Sequence, residues 1–275
     1  MAESNIRFIV VNEHDKAALT ASSEAVPVAS TQKQSKAHAW RTQSVGVHSV
    51  TAQMGQGPAY ANGFCMAQHN LSKDSEYRLV LKLQGVTVYD SGLIPVQTFF
   101  IPAGTWRAGI DPWMAADNDK LAEQCTSLWF DAVLFDSYEI TVSDSKNSAG
   151  WLQVGRFFLG VAISPAVNMD YNARMTHQES GRHSPTDGGS LWTVGKGSRR
   201  QFDIDLNYLS MDERLLLEGE LVAAGLAADI FISAYPGAGG LKEIQHQFIA
   251  KRQAGLSFTH NNFNNCTTKL QFFEV

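Results

Sequence analysis

The sequence predicts a mainly β protein: an N-terminal jelly-roll β-sandwich followed by a smaller C-terminal β domain that carries one α-helix. Three observations predict it. Short apolar segments recur between Gly-, Pro- and Asp-containing turns along the first 165 residues, the pattern of a sandwich or jelly roll. Two segments alternate clearly. Tyr77, Leu79, Leu81 and Leu83 alternate with Arg78, Val80 and Lys82, and Phe202, Ile204, Leu206 and Tyr208 with Asp203, Asp205 and Asn207, so each is a strand with one face in a core. Helical periodicity is convincing once, over about 211–227.

Taken in order, Ile6–Val11 is a first strand. Residues 13–38, rich in Ala, Ser, Thr, Lys and Gln, read as a long surface connection ending at Trp40-Arg41. Strands are expected at Val45–Met54, Tyr60–Gln68, Tyr77–Leu83, Val86–Tyr89, Thr98–Ile101, Ser127–Leu134 and Tyr138–Val142. Asp90–Gly92, Pro102–Gly104 and Asp144–Gly150 supply turns. Gly150–Tyr171, GWLQVGRFFLGVAISPAVNMDY, then reads as a strand buried on both faces with an abrupt exit at Pro165. Trp151 and Phe157 are expected in the core. Arg156 is the one ionisable residue between Trp151 and Val167. Buried there, it needs Asp131, Asp136 or a carbonyl as partner. The domains are placed at 1–165 and 166–275, with the transition over 165–172.

Downstream, Asp187-Gly188-Gly189 makes a hairpin between Met175–His177 and Leu191–Val194. Gln201–Leu209 is a half-buried strand. Ser210-Met-Asp-Glu213 fits a capping box that opens the helix. Leu215, Leu217, Leu221, Val222 and Leu226 supply its apolar face. Ile230–Tyr235 is a buried strand stopped by Pro236-Gly237, Glu243–Ala250 and Leu270–Val275 are further strands, and Asn261–Asn265 is a turn.

The chain has 275 residues, 44% hydrophobic and 18% charged, with a formal net charge of −5. That balance gives no basic field to attract nucleic acid or anionic lipid. Low charge with 15 Phe and 6 Trp leaves room for protein–protein contact. No segment approaches the roughly 18–20 apolar residues of a membrane span, so no membrane insertion is expected. The opening MAESNIRFIVVNEH lacks the basic flank and long apolar stretch of a secretory signal, so synthesis in a cytoplasm without signal-directed export is the expectation.

Chemistry-bearing motifs are sparse. There is no GxSxG, HExxH, P-loop, dinucleotide fingerprint or EF-hand spacing, so no catalytic, cofactor-binding or metal residue is assigned and the chain is expected not to be an enzyme. Gly195-Lys-Gly-Ser198 lacks the spacing of a phosphate loop and reads as a hairpin. His177 and His183 read as part of a polar loop with Glu179 and Asp187. Cys65, Cys125 and Cys266 have no ligand spacing and read as soft core residues. Asp111, Asp117, Asp119 and Glu123 form the densest acidic cluster without calcium-loop spacing. Two candidate sites remain. Trp106 and Trp113, near Phe99 and Phe100, are candidate glycan contacts through ring stacking, with Tyr60 as a further platform. Lys196, Arg199 and Arg200 form a basic tip suited to a subunit interface with acidic partners.

Several motifs, in order, carry a family resemblance. They are Ala21–Glu24 before Trp40-Arg41, Phe64–Ser72 (FCMAQHNLS), Tyr77–Leu83, Val88–Gly92 (VYDSG), Gly150–Gly160, Ser164-Pro165 and Asn168–Tyr171. Together they resemble the discoidin-type, galactose-binding-like jelly rolls at the front of tailed-bacteriophage tail-tip or baseplate proteins, the distal tail-like proteins. The later order of Arg-containing hairpin, strand, helix opening Asp212-Glu-Arg-Leu215 and strand Phe231–Pro236 is similar to their second domain. The resemblance runs nearly the full length. It implies a structural virion protein, made in the bacterial host cytoplasm, that forms a homo-oligomeric ring at the distal end of the tail. Tail tube, hub and tape-measure proteins are then its neighbours, connecting the tube to host-recognition parts. The same jelly roll implies an alternative, a carbohydrate-binding module contacting host surface glycans.

Overall fold

The computed structural model describes residues 4–97, 106–110, 124–262 and 264–275. The expected strand Thr98–Ile101, the turn at 102–104 and the acidic stretch 111–123, with Trp113, lie outside the described residues.

The strands in chain order begin with β1 (Arg7–Ile9), β2 (Ala17–Ala21), β3 (Trp40–Arg41), β4 (Gly46–Met54), β5 (Ala59–His69) and β6 (Glu76–Leu83). They continue with β7 (Val86–Asp90), β8 (Ile94–Pro95), β9 (Cys125–Phe135), β10 (Ser137–Asp144), β11 (Gln153–Gly160) and β12 (Ala162–Ile163). Then come β13 (Arg174–Pro185), β14 (Leu191–Leu209), helix α1 (Met211–Ala224), β15 (Ile230–Ser233) and helix α2 (Gly240–Gln245). β16 (Gln247–Arg252), β17 (Phe258–Asn262) and β18 (Asn265–Glu274) complete the chain. The chain divides into two compact units, Met1–Ser164 with Ile230–Phe248, and Pro165–Asp229 with Ile249–Val275. Contiguous domains 1–165 and 166–275 do not capture this interleaving. Ile230–Ser233 is apolar and fully buried, and it rejoins the first unit by pairing antiparallel with β1.

The first unit is an antiparallel sandwich of jelly-roll type. One sheet runs β2-β4-β10-β6-β7 with β8 on β6, and the other runs β3-β11-β5-β9. Alternation in β6 and β10 sends Tyr77, Leu79, Leu81, Tyr138, Ile140 and Val142 inward, to meet Phe64, Met66, Val154, Phe157 and Leu159 of the facing sheet. Every residue of β11 from Val154 to Gly160 is buried, as the apolar run predicts. Gly160 is required by close approach, because a Cβ there would lie 2.3 Å from the Val11 carbonyl oxygen. Phe157 stacks on Phe64 at 6.1 Å between ring centroids. Trp151 departs from expectation: it is half-buried, with the Arg41 guanidinium 3.5 Å from its ring centroid.

Residues 13–38 are not a surface connection. They contain β2 and two one-turn helices, Glu13–Lys16 and Val28–Gln32, and they bury His14, Val28 and Thr31. Their polar composition hides this because the buried groups satisfy one another. His14 Nδ1 lies 2.6 Å from Tyr138 Oη and Nε2 lies 2.8 Å from Thr31 Oγ1. Arg156 finds its carboxylate here, at Asp15, donating two bonds of 2.8 and 2.7 Å and a third to the Thr31 carbonyl. Neither Asp131 nor Asp136 is that partner. Burial, then the Arg156 charge, pushes His14 down to about 3, and burial does the same to His69.

In the second unit β14 pairs with both β13 and β18, and β17 forms a hairpin with β18 at the expected Asn-rich turn. The capping box forms: Glu213 N donates to Ser210 Oγ at 3.3 Å, and Ser210 N donates to Glu213 Oε2 at 2.8 Å. α1 buries only Leu217 and Leu221, while Leu215, Val222 and Leu226 are exposed, so its apolar stripe is narrower than the leucine count suggests. In the first unit, the expected strand Glu243–Ala250 opens as helix α2. Glu243 accepts the N–H groups of Gly237 and Gly239 at 2.9 and 2.8 Å, which winds the chain before β16 begins.

Candidate functional site

The longest strand of the chain makes the most conspicuous surface. Asp187-Gly188-Gly189 turns the chain so that β13, 12 residues long, pairs along β14, 19 residues long. β18 supports β14 from Gln201 onward. From Leu191 to Arg199, β13 is the only strand beside β14 among the described residues, so a two-stranded arm extends about 30 Å beyond the third strand. The loop expected around His177 and His183 is therefore strand. Gly195–Ser198 is a bulge within β14, since the register shifts opposite Glu179–Gly181 and Gly197 has φ +80°. A two-stranded ribbon alone in water is marginal, and the described side chains of this one are exposed on both faces from 177 to 199, Ser184 alone being half-buried.

Register assigns the two faces. Trp192 opposes Ser184, Val194 opposes Arg182 and Arg199 opposes Gln178. One face thus carries Trp192, 66% exposed, and Val194, 48% exposed, flanked by Arg182 and Arg199. Neither arginine has an ion-pair partner among the described residues. The other face carries Glu179 opposite Ser198, Gly181 opposite Gly195 and His183 opposite Thr193, lining a groove of about 320 Å³. Arg174, Arg182, Lys196, Arg199 and Arg200 against Glu179 and Asp187 give residues 174–200 a net charge of +3, leaving −8 on the remainder of a −5 chain.

The expected interface residues separate. Arg199 is exposed on the Trp192 face, and the backbone of Lys196 lies in the bulge. Arg200 is withdrawn: it is buried at the root of the arm and ion-paired to Glu274. Trp106 is half-buried and Tyr60 is 57% exposed. Sequence reading missed Trp192, Val194 and Arg182, although the DGG turn fixes a register that places Arg182 and Val194 side by side on one face.

Ser127 Oγ donates to Gln247 Oε1 at 2.8 Å and meets Glu243 Oε1 at 3.3 Å. The Glu243 carboxylate holds the Pro236–Gly239 loop, and no histidine lies between it and the serine to relay a proton. Cys65, Cys125 and Cys266 are buried free thiols, with 3.2 Å between the first two sulfurs. Among the described residues no group of three or more His, Cys, Asp or Glu is placed to hold a metal ion, and no helix is long and apolar enough to cross a membrane.

No family model matches this chain. No curated protein matches it. Solved structures do resemble its jelly-roll half. One is a CBM32 module, from Clostridium perfringens, in complex with GalNAc-β-1,3-galactose, at 13% identity and TM-score 0.34 over 55% of this chain and 99% of that one. Another is the CBM32 of AlyQ in complex with 4,5-unsaturated mannuronic acid, at 17% identity and TM-score 0.32 over 52% and 92%. A third is a Streptococcus pneumoniae fucose-binding module, at 9% identity and TM-score 0.37 over 54% and 96%. With TM-scores below 0.5, these likenesses carry no inference about what this chain binds.

Proposed function

We propose that this chain is a non-catalytic structural protein that joins neighbouring subunits through the Trp192 face of its β-hairpin arm. The observation that carries the reading is that arm. Among the described residues it is a long ribbon without a third strand, presenting Trp192 and Val194 beside Arg182 and Arg199, which have no ion-pair partner there. Buried tryptophan and arginine dominate the energetics of protein interfaces, and the arm's positive charge complements the acidic remainder of a second copy. A ring follows when such a heterologous contact closes around an axis. The order of motifs along the chain, similar to that of distal tail-like proteins, supports placing the ring at a phage tail tip, beside tube, hub and tape-measure proteins in the virion. Mass spectrometry of purified virions from the parent phage tests the placement. Stoichiometric presence of the chain supports it, and absence from particles overturns it.

A second reading, a carbohydrate-binding module for host glycans, draws on Tyr60, a 57% exposed ring on β5 of the jelly roll, and on Trp106. Binding on a glycan array that is lost in Tyr60→Ala or Trp106→Ala supports it, and no binding on that array counts against it.

A further inference from the structure

The arm's second face, opposite Trp192, has a charge pattern that complements itself. Glu179 and His183 stand two residues to either side of Gly181 on β13, and Ser198 and Thr193 oppose them on β14. Each is about 7 Å from the glycine level along the strand. A twofold axis crossing the arm at Gly181 and Gly195 brings a second arm face to face with its strands reversed. Glu179 then faces His183 of the second copy, and Ser198 faces its Thr193, each pair occurring twice. We propose that two copies of this chain pair across this dyad, groove to groove, as an isologous contact.

The chemistry of each pair is set before contact. His183 Nδ1 lies 2.8 Å from Thr193 Oγ1. With the hydroxyl donating to Nδ1, the imidazole proton sits on Nε2. Nε2 has no partner among the described residues, nor has the Glu179 carboxylate. Each copy therefore brings one outward donor and one outward acceptor, placed symmetrically about the same level. The groove between them, about 320 Å³, lets the backbones approach. Gly195 has an ordinary φ, and a Cβ there would meet nothing within 4 Å. Among the described residues nothing requires glycine at 195, and in the dyad that missing side chain is where the two ribbons touch. The contact uses the opposite face from Trp192 and does not depend on the proposed function.

Sedimentation velocity of the full chain over a concentration series tests the pairing in the Trp192→Ser background, which removes the other face's anchor. A reversible dimer is expected. Gly195→Val, which meets open space in the monomer, is expected to weaken it at least about tenfold, as are Glu179→Lys and His183→Glu. The swap Glu179→His with His183→Glu keeps the pattern self-complementary and is expected to restore dimerisation. Circular dichroism of each variant controls for folding. A Trp192→Ser protein that stays monomeric overturns the proposal, as does a dimer indifferent to Gly195→Val and Glu179→Lys. A swap that fails to rescue also overturns it, because the contact is then not twofold.

Discussion

Glu274 accepts the backbone N–H of Arg200 at 2.8 Å and pairs with the guanidinium of the same residue. The two lie where the arm leaves the sheet in which β18 pairs with β14, so the last strand of the chain clamps the arm's root. Breaking a buried pair leaves an uncompensated charge, at a cost of about 3–5 kcal/mol. Glu274→Ala is expected to lower the unfolding free energy by that amount in urea titrations, with Arg200→Ala costing about as much. A change under 1 kcal/mol in both would show that the clamp is solvated.

Phe157 and Trp151 should separate. Phe157→Ala removes a fully buried ring from the centre of the sandwich and is expected to cost about 3–5 kcal/mol. Trp151→Ala loses mainly a half-exposed cation–π contact with Arg41, worth about 1 kcal/mol. Equal losses in chemical denaturation would contradict the burial assigned to β11.

Acid should unfold the first unit through its histidines. His14 and His69 are each held at about 3 by burial, whereas an unfolded chain takes up those protons near 6.5. The unfolded state therefore binds more protons below that value. Stability is complete above about pH 6.5 and falls as the pH drops towards 3, by about 1.4 kcal/mol per pH unit for each histidine. Denaturation midpoints at pH 7, 6 and 5 measure it, with His69→Gln expected to reduce the slope by one proton. A flat profile from pH 7 to 5 would contradict both burials.

Much of this structure is legible in the sequence, and the exceptions share a cause. Alternation at Tyr77–Leu83 and Gln201–Leu209, the capping box at Ser210 and the buried run at Gln153–Gly160 are local signals, and local geometry follows them. Residues 13–38 were opaque because His14 and Thr31 are buried, and Asp15 is paired, by partners more than a hundred residues away, Tyr138 and Arg156. Arg200 looked exposed beside Arg199, yet strand alternation sends the two to opposite faces. The leucines of α1 overstated its buried face because only the 217–221 pair meets the unit's core. The arm was visible as a hairpin turn, but its length depends on where β18 stops supporting β14, which is a long-range fact.

Salt should weaken assembly. An arm at +3 against a remainder at −8 attracts more strongly when the Debye length is long, about 10 Å at 0.1 M salt. Light scattering at 0.05 and 0.5 M salt is expected to show smaller assemblies at the higher value. Larger ones would indicate an apolar contact such as the exposed leucines of α1.

The assembly role of the arm is tested most directly by sedimentation velocity of the full chain against its Trp192→Ser, Arg182→Glu, Arg199→Glu triple variant. All three side chains are exposed, so the variant is expected to keep the wild-type circular dichroism and melting temperature. Wild type is expected to form assemblies larger than a dimer, and the folded variant to stop at the dimer or below. A folded variant that assembles to the same size as wild type would contradict the account.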